Sequence, residues 1–194
     1  MININRPQLV IIAGPNGAGK STVVEFLYLN RSIADCVNAD VIAKGMAANG
    51  EGSSDILAGR ILLQVVHDAL ARRVSVAFES TMSGISWRKL IKDSQSMGYD
   101  VTICFVAVES EQISIARVAK RVLEGGHDIP EETIKRRYKK SMSLGLGEYR
   151  ALADFWYFFD NSNSSAKLVA AREKGCSEVI VDHVLWSRYE AWNP

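Results

Sequence analysis

Apolar residues along the 194-residue chain fall into two alternating patterns. Short unbroken apolar runs at 9–13, 74–78 and 101–108, with a shorter one at 36–38, read as strands buried on both faces. Between them, apolar residues recur at helical spacing. Helices are predicted over 20–28, from Val41 onward, over 54–73, over 87–97 closed by Gly98, and from a Ser110 cap to about Leu123. The helix over 54–73 takes Ile56, Leu57, Ile61, Leu63, Val66 and Leu70 as its apolar positions. Gly125 and Gly126 then break the pattern. Asp128-Ile129-Pro130-Glu131 reads as a new start: a capping aspartate, proline in the first turn and glutamate at the capping-box position. A further helix is expected over 149–155, with strands at 156–159, 167–171 and 179–181. The polar stretch 160–165 reads as a loop.

This alternation implies one α/β domain over residues 1–194, a three-layer sandwich with a mostly parallel sheet and helices on both faces. In such sheets ligands bind beyond the carboxyl ends of the strands. The residues that follow each predicted strand therefore carry the candidate chemistry.

The first strand runs into Gly14, Pro15, Asn16, Gly17, Ala18, Gly19, Lys20, Ser21 and Thr22. Their spacing fits G-x-x-x-x-G-K-[ST], the phosphate loop. Glycines let successive N–H groups curl toward an anion, and the helix that follows adds its positive dipole end. Lys20 is expected to neutralise the β- and γ-phosphates, with the Ser21 hydroxyl on Mg²⁺. ATP and Mg²⁺ are the expected cofactors, bound by residues 14–22.

Two carboxylates follow two other strands on the same rim: Asp40 in Asn38-Ala39-Asp40 and Glu79 in Phe78-Glu79-Ser80-Thr81. A phosphotransferase needs a carboxylate to accept the substrate hydroxyl proton, and often another near the metal. Asp40 is the expected general base, and Glu79 with Thr81 the expected substrate contacts. Ser80, Thr81 and Ser83 either contact substrate or cap the next helix. Basic residues gather between Arg117 and Lys140. Arg117 and Arg121 share a helix face. Only part of Arg136-Arg137-Tyr138-Lys139-Lys140 can turn inward. Two helices joined at Gly125-Gly126-His127 suggest a lid over about 112–143, bringing arginines onto the transferring phosphate. His127 reads as a hinge contact, and Lys139 and Lys140 as a solvated face.

Composition narrows the picture. Apolar residues make up 47% and charged residues 23%, enough for a sizeable core. A net charge of +1 exerts no general pull toward nucleic acid or membrane. Three dispersed cysteines without a C-x-x-C pair indicate neither zinc nor disulfides, and suit a reducing compartment. No signal-peptide pattern opens the chain. No apolar run approaches the ~20 residues of a membrane span. A cytoplasmic enzyme with a small-molecule substrate is expected.

The loop at 14–22, Asn38-Ala39-Asp40, Phe78-Glu79-Ser80-Thr81 and the block from Arg121 through Gly125-Gly126-His127-Asp128 to Arg136-Arg137-Tyr138 together resemble the zeta-toxin-like P-loop kinases. The resemblance runs from the first strand to about Asp160-Asn161-Ser162. It implies a kinase fold around a five-stranded parallel sheet. It also implies a base at Asp40, a substrate-binding carboxylate at Glu79, and phosphate-stabilising arginines at Arg121 and at Arg136 or Arg137. Arg136 is taken as catalytic with Asp40, Lys20 and Arg121, and Arg137 as a substrate contact. The best-known zeta toxins phosphorylate the amino sugar of uridine diphosphate-N-acetylglucosamine at its 3′-hydroxyl, and a small separate antitoxin restrains them. A nucleoside, antibiotic or polynucleotide kinase of the same fold is the alternative. A P-loop switch is the alternative of another class, although no N-K-x-D motif or serine-glycine-glycine signature is present.

Overall fold

The computed structural model describes residues 6–29, 36–48, 55–126, 128–163 and 165–192. The first apolar run forms β1 (Gln8–Ala13), and the glycine loop leads directly into α1 (Lys20–Leu29). Next come β2 (Cys36–Val37), α2 (Ala39–Ala48), α3 (Asp55–Ala71), β3 (Val76–Ser80), α4 (Trp87–Ser96) and β4 (Asp100–Ala107). The region expected to form a lid holds α5 (Glu111–Leu123) and α6 (Glu131–Leu144). A π-helical turn, Gly145–Tyr149, carries α6 into α7 (Arg150–Leu152). The chain ends with β5 (Phe155–Asp160), β6 (Lys167–Arg172), β7 (Val179–Ile180), α8 (His183–Ser187) and a 3₁₀ turn at Glu190–Trp192.

Among the described residues the sheet has seven strands, in the order β2-β3-β1-β4-β5-β6-β7. The first five are parallel, as expected, and β6 and β7 extend the sheet antiparallel. The expectation of five strands is corrected here. The short connection between β5 and β6 allows only a hairpin, because a parallel return needs a dozen or more residues. Strand order reverses around β1, which lies between β3 and β4. This is the switch point where a crevice opens at the strand ends. Register places Ile12 opposite both Glu79 and Cys104, so Glu79 lies level with the mouth of the phosphate loop.

Leu9, Ile11, Ile12, Phe78, Ile103, Phe105, Trp156 and Phe158 form the centre of the core. Phe105 stacks on Trp156 and Phe158, at 5.7 and 6.0 Å between ring centroids. Cys104 is buried in β4, as its apolar setting implies. The C-terminal aromatics pack down rather than project: Trp186 and Tyr189 meet Phe158 edge-on. No described helix is long and apolar enough to cross a membrane.

Several local expectations shift. The buried stripe of α3 is Ala58, Leu62, Val66 and Leu70, at i,i+4 spacing, while Leu57 and Leu63 are exposed. Helix α2 begins at Ala39 rather than Val41, which puts Asp40 in its first turn. The helix expected over 149–155 ends at Leu152, because Phe155 is drawn into the sheet opposite Thr102. Asp128 does not cap α6. Pro130 occupies the cap position at φ −54° and ψ 135°, and no side-chain bond is made there. Proline holds its predecessor extended, which moves the helix start onward. His127 lies outside the described residues. His67 is exposed on α3.

Helices α5 and α6 and the segment between them share a small core of their own, Val118, Ile129 and Ile134, flanked by Ile115 and Val122. Helix α6 is anchored beyond it, since Tyr138 and Met142 belong to the main core.

Candidate active site

Gly14 leaves β1 at φ +137°, and a Cβ there would fall 2.0 Å from the Val106 carbonyl oxygen. Only glycine allows the loop to lie this close to β4. Lys20 opens α1, and its Nζ donates to the carbonyls of Gly14 at 3.0 Å and Pro15 at 3.1 Å. The ammonium therefore sits over the concave side of the loop. Ser21 follows in the first turn. Its Oγ donates toward both carboxylate oxygens of Glu79, at 3.2 and 3.3 Å.

Glu79 is set by β3, and the residues after it turn sharply. Met82 is buried in the left-handed region at φ 45°. Its N–H donates to Ser80 Oγ at 3.0 Å. Thr81 Oγ1 lies 3.1 Å from Ser83 Oγ, and Ser141 Oγ on α6 donates to the Thr81 carbonyl at 2.5 Å. Helix α4 takes Ser86 at its cap position. Ser80, Thr81 and Ser83 are thus left to line the cavity rather than to cap that helix. Cys36 of β2 lies beside this segment. Burial, and then the Glu79 carboxylate, push its thiol up to about 12, so it stays protonated and is no nucleophile near neutral pH.

A cavity of about 640 Å³ joins these parts. Asn16, Gly17, Gly19, Lys20 and Ser21 line one end, with Asn38, Ala39, Glu79 and Thr81 beside them. Helix α3 supplies a wall of Ala58, Gly59, Arg60, Leu62 and Leu63. Trp87 adds an aromatic surface, held by stacking on Phe78 at 5.1 Å. The α5–α6 segment contributes Arg117, Arg121, Ile129 and Arg137. Among the described residues of the lining, Lys20, Arg60, Arg117, Arg121 and Arg137 are cations and Glu79 is an acid. Opposed charges are thus far from balanced within the lining, which suits a ligand bearing several negative charges.

The expected site residues are therefore brought together in large part. Lys20, Ser21, Glu79, Thr81, Arg121 and Arg137 share the cavity with the loop residues Asn16, Gly17 and Gly19. Gly14, Pro15 and Ala18 are buried beneath the loop, and Thr22 is exposed on α1. Asp40 follows the lining residue Ala39, and its side chain lies outside the described residues. Arg136 is exposed and does not line this cavity, whereas Arg137, one residue and about 100° further round the helix, does. Lys139 and Lys140 are solvated, as expected.

Several lining residues carried no signal in the sequence. The α3 wall and Trp87 read there as ordinary helix positions. Helical periodicity finds the stripe that packs on the sheet but not the residues beside it that face a crevice. Arg60 is one of these.

The donor set fits the expected ligands. A Ser hydroxyl beside a carboxylate at the end of a phosphate loop is hard-oxygen chemistry of the kind Mg²⁺ uses when phosphates and waters complete its shell. Among the described residues no group of three or more His, Cys, Asp or Glu forms a metal cage.

A family model described as an AAA domain (AAA_33) matches residues 9–143. That span holds the phosphate loop, both carboxylate segments and helix α5 with nearly all of α6. The chain belongs to this AAA domain family. An uncharacterized protein of Haemophilus influenzae is 31% identical over 129 residues, 66% of this chain and 91% of that one. Among solved structures, a chain of the AvrRxo1-ORF1:-ORF2 complex with ATP superposes with a TM-score of 0.76 at 14% identity. It covers 95% of this chain, which in turn spans only 63% of that longer one. A chain from the PezAT chromosomal toxin–antitoxin system of Streptococcus pneumoniae gives a TM-score of 0.64 at 16% identity, covering 94% of this chain and 78% of that one. The resemblance to zeta-toxin-like P-loop kinases is borne out at the level of the fold. This AAA domain member has a P-loop kinase-like fold.

Proposed function

We propose that the protein is a kinase that transfers the γ-phosphate of ATP to a hydroxyl of a small, nucleotide-linked metabolite. The observation that carries the reading is the single cavity joining Lys20 and Ser21 to Glu79, Thr81, Arg121 and Arg137. Donor and acceptor subsites are thus continuous, as in-line transfer needs. The ATP in the AvrRxo1-ORF1:-ORF2 structure supports the choice of donor.

In this reading Lys20 and the loop N–H groups hold the β- and γ-phosphates. Arg121 and Arg137 close over the transferring group and stabilise charge spread on its equatorial oxygens. Ser21, with Glu79 beside it, would hold Mg²⁺, which neutralises phosphate charge. Asp40, in the first turn of α2 next to the cavity, accepts the proton of the attacking hydroxyl. Glu79 and Thr81 orient the acceptor, and Trp87 with Leu62 and Leu63 covers its apolar part. Uridine diphosphate-N-acetylglucosamine is one acceptor of this class, and the PezAT likeness supports a separate antitoxin protein as a partner.

The test is incubation with Mg-ATP and a cell metabolite extract, followed by mass spectrometry. A metabolite gaining one phosphate with wild type and not with Lys20→Ala is expected, and it names the acceptor. ATP consumed with no phosphorylated metabolite would replace this reading by that of a nucleotide-hydrolysing switch. A labelled 5′-hydroxyl oligonucleotide would replace it by that of a polynucleotide kinase.

A further inference from the structure

A phosphate loop works only while its N–H groups point inward, so the carbonyls of its central residues must turn outward and find donors elsewhere. The outward donors here come from two distant segments. Asn161, the first residue after β5, is buried, and its Nδ2 donates to the Ala18 carbonyl at 2.8 Å. Its own N–H is fixed to the Ala107 carbonyl at 2.8 Å. Arg117 of α5 reaches the Gly17 carbonyl through Nη1 at 3.5 Å. Its Nη2 donates to the carbonyls of Ser162 and Asn163, at 3.2 and 3.0 Å. Gly19 is shaped for the same contact. It has φ +83°, and a Cβ there would lie 2.2 Å from Asn161 Nδ2.

The loop that carries Asn161 is itself tied down. Buried Asp160 accepts from Ser162 N–H at 3.1 Å and Ser162 Oγ at 2.7 Å, and from the Tyr189 hydroxyl near the C-terminus. Ser162 Oγ also accepts from the Glu109 N–H at 3.0 Å. Burial, and then its bond to Asp160, hold the Tyr189 phenol above its ordinary pKa, so it remains a donor.

We infer that Asn161 and Arg117 are positioning residues that brace the phosphate loop from behind, turning the Ala18 and Gly17 carbonyls outward so that the loop N–H groups stay aimed at phosphate. The inference rests on the phosphate-binding reading of the cavity. Asn161 does not line the cavity and acts without touching the nucleotide; Arg117 also lines it, and Arg117→Lys keeps the charge there while removing the two-pronged brace. The isosteric change Asn161→Asp is the sharpest probe, because it puts a carboxylate where the Ala18 carbonyl requires a donor.

The test is calorimetric titration of wild type, Lys20→Ala, Asn161→Ala, Asn161→Asp and Arg117→Lys with Mg-ATP, inorganic tripolyphosphate and adenosine, with a melting curve for each protein. Asn161→Ala should weaken Mg-ATP about tenfold, the worth of one lost buried hydrogen bond. Asn161→Asp should weaken it further. Tripolyphosphate should show the same ratios, and adenosine no change. If the Asn161 variants do not fold, Arg117→Lys decides: a several-fold loss for both phosphate ligands supports the brace, and wild-type affinity overturns it. Folded Asn161→Asp binding Mg-ATP like wild type overturns it as well. Equal binding by wild type and Lys20→Ala would overturn the phosphate reading itself, and the brace with it.

Discussion

The two ends of the parallel strands both collect charge, and they handle it in opposite ways. At the amino end, the buried Asp100 carboxylate meets Lys174 Nζ at 2.7 Å and Arg6 Nη1 at 3.3 Å. Lys174 also bonds Asp154 at 2.9 Å, and Asp154 accepts from the Val101 N–H and from Gln95. Two acids and two bases close on one another. At the carboxyl end, the described lining of an open cavity carries five cations and the Glu79 carboxylate. A self-neutralised cluster serves stability. An unbalanced one, arranged around a glycine loop and a helix N-terminus, holds free energy in reserve for a charged ligand. Mutations at the two ends should therefore separate folding from chemistry.

The largest expected effect is at the carboxyl end. Lys20→Ala should lower phosphotransfer by about a thousandfold or more, the scale of removing a cation from a transferring phosphate. Its denaturation midpoint should stay near that of wild type, and steady-state rates with urea unfolding curves check both halves. Asp40→Ala should abolish turnover while leaving Mg-ATP affinity nearly intact, as titration would show. Normal turnover by that variant would remove Asp40 from the role of base.

Lys174→Met inverts the pattern. It leaves buried Asp100 with Arg6 alone, and should cost about 1–2 kcal/mol of stability, below the figure for a fully buried pair because Lys174 is 41% exposed. Turnover per folded molecule should not change. Acid offers a finer probe of the same end. Burial alone would raise the Asp154 carboxyl, but hydrogen bonds from Val101 N–H, Lys174 and Gln95 outweigh it and hold its pKa below the ordinary value. A depressed native pKa gives stability that is fully present above the unfolded value of about 4 and lost as pH falls through the native one. Asp154→Asn should therefore be less stable than wild type at neutral pH and lose less on acidification, read from unfolding curves between pH 7 and 3.

The smallest expected effect compares neighbours. Arg137→Ala should impair turnover, whereas exposed Arg136→Ala should leave it within about twofold, the range of a solvated surface change. Equal losses would show that the lid closes in a rotated register.

These two ends were not equally legible in the sequence. The phosphate loop, the β3 carboxylate and the lid arginines could be read because each depends on residue type at short spacing. The lid break at Gly125-Gly126 and the Ser110 cap, whose Oγ accepts from the Ile113 N–H, were legible for the same reason. The ion cluster joins Arg6, Asp100, Asp154 and Lys174, and only the folded sheet brings them together. Asn161 read as part of a polar loop, since nothing local shows that its amide reaches Ala18. The antiparallel β6–β7 pair read correctly as strands, but their place at the sheet edge follows from the hairpin length, which strand patterns alone do not reveal. Choosing Arg137 over Arg136 needed the rotation of α6, set by Tyr138 and Met142 packing into the main core.

The central claim is that the carboxyl-end cavity transfers phosphate rather than merely binding it. The most direct measurement follows the fate of an isotopically labelled γ-phosphate from Mg-ATP in the presence of cell metabolites. Label is expected on the hydroxyl of a nucleotide-linked metabolite with wild type, and none there with Asp40→Ala. Label recovered only as inorganic phosphate, at the same rate in both proteins, would contradict the claim.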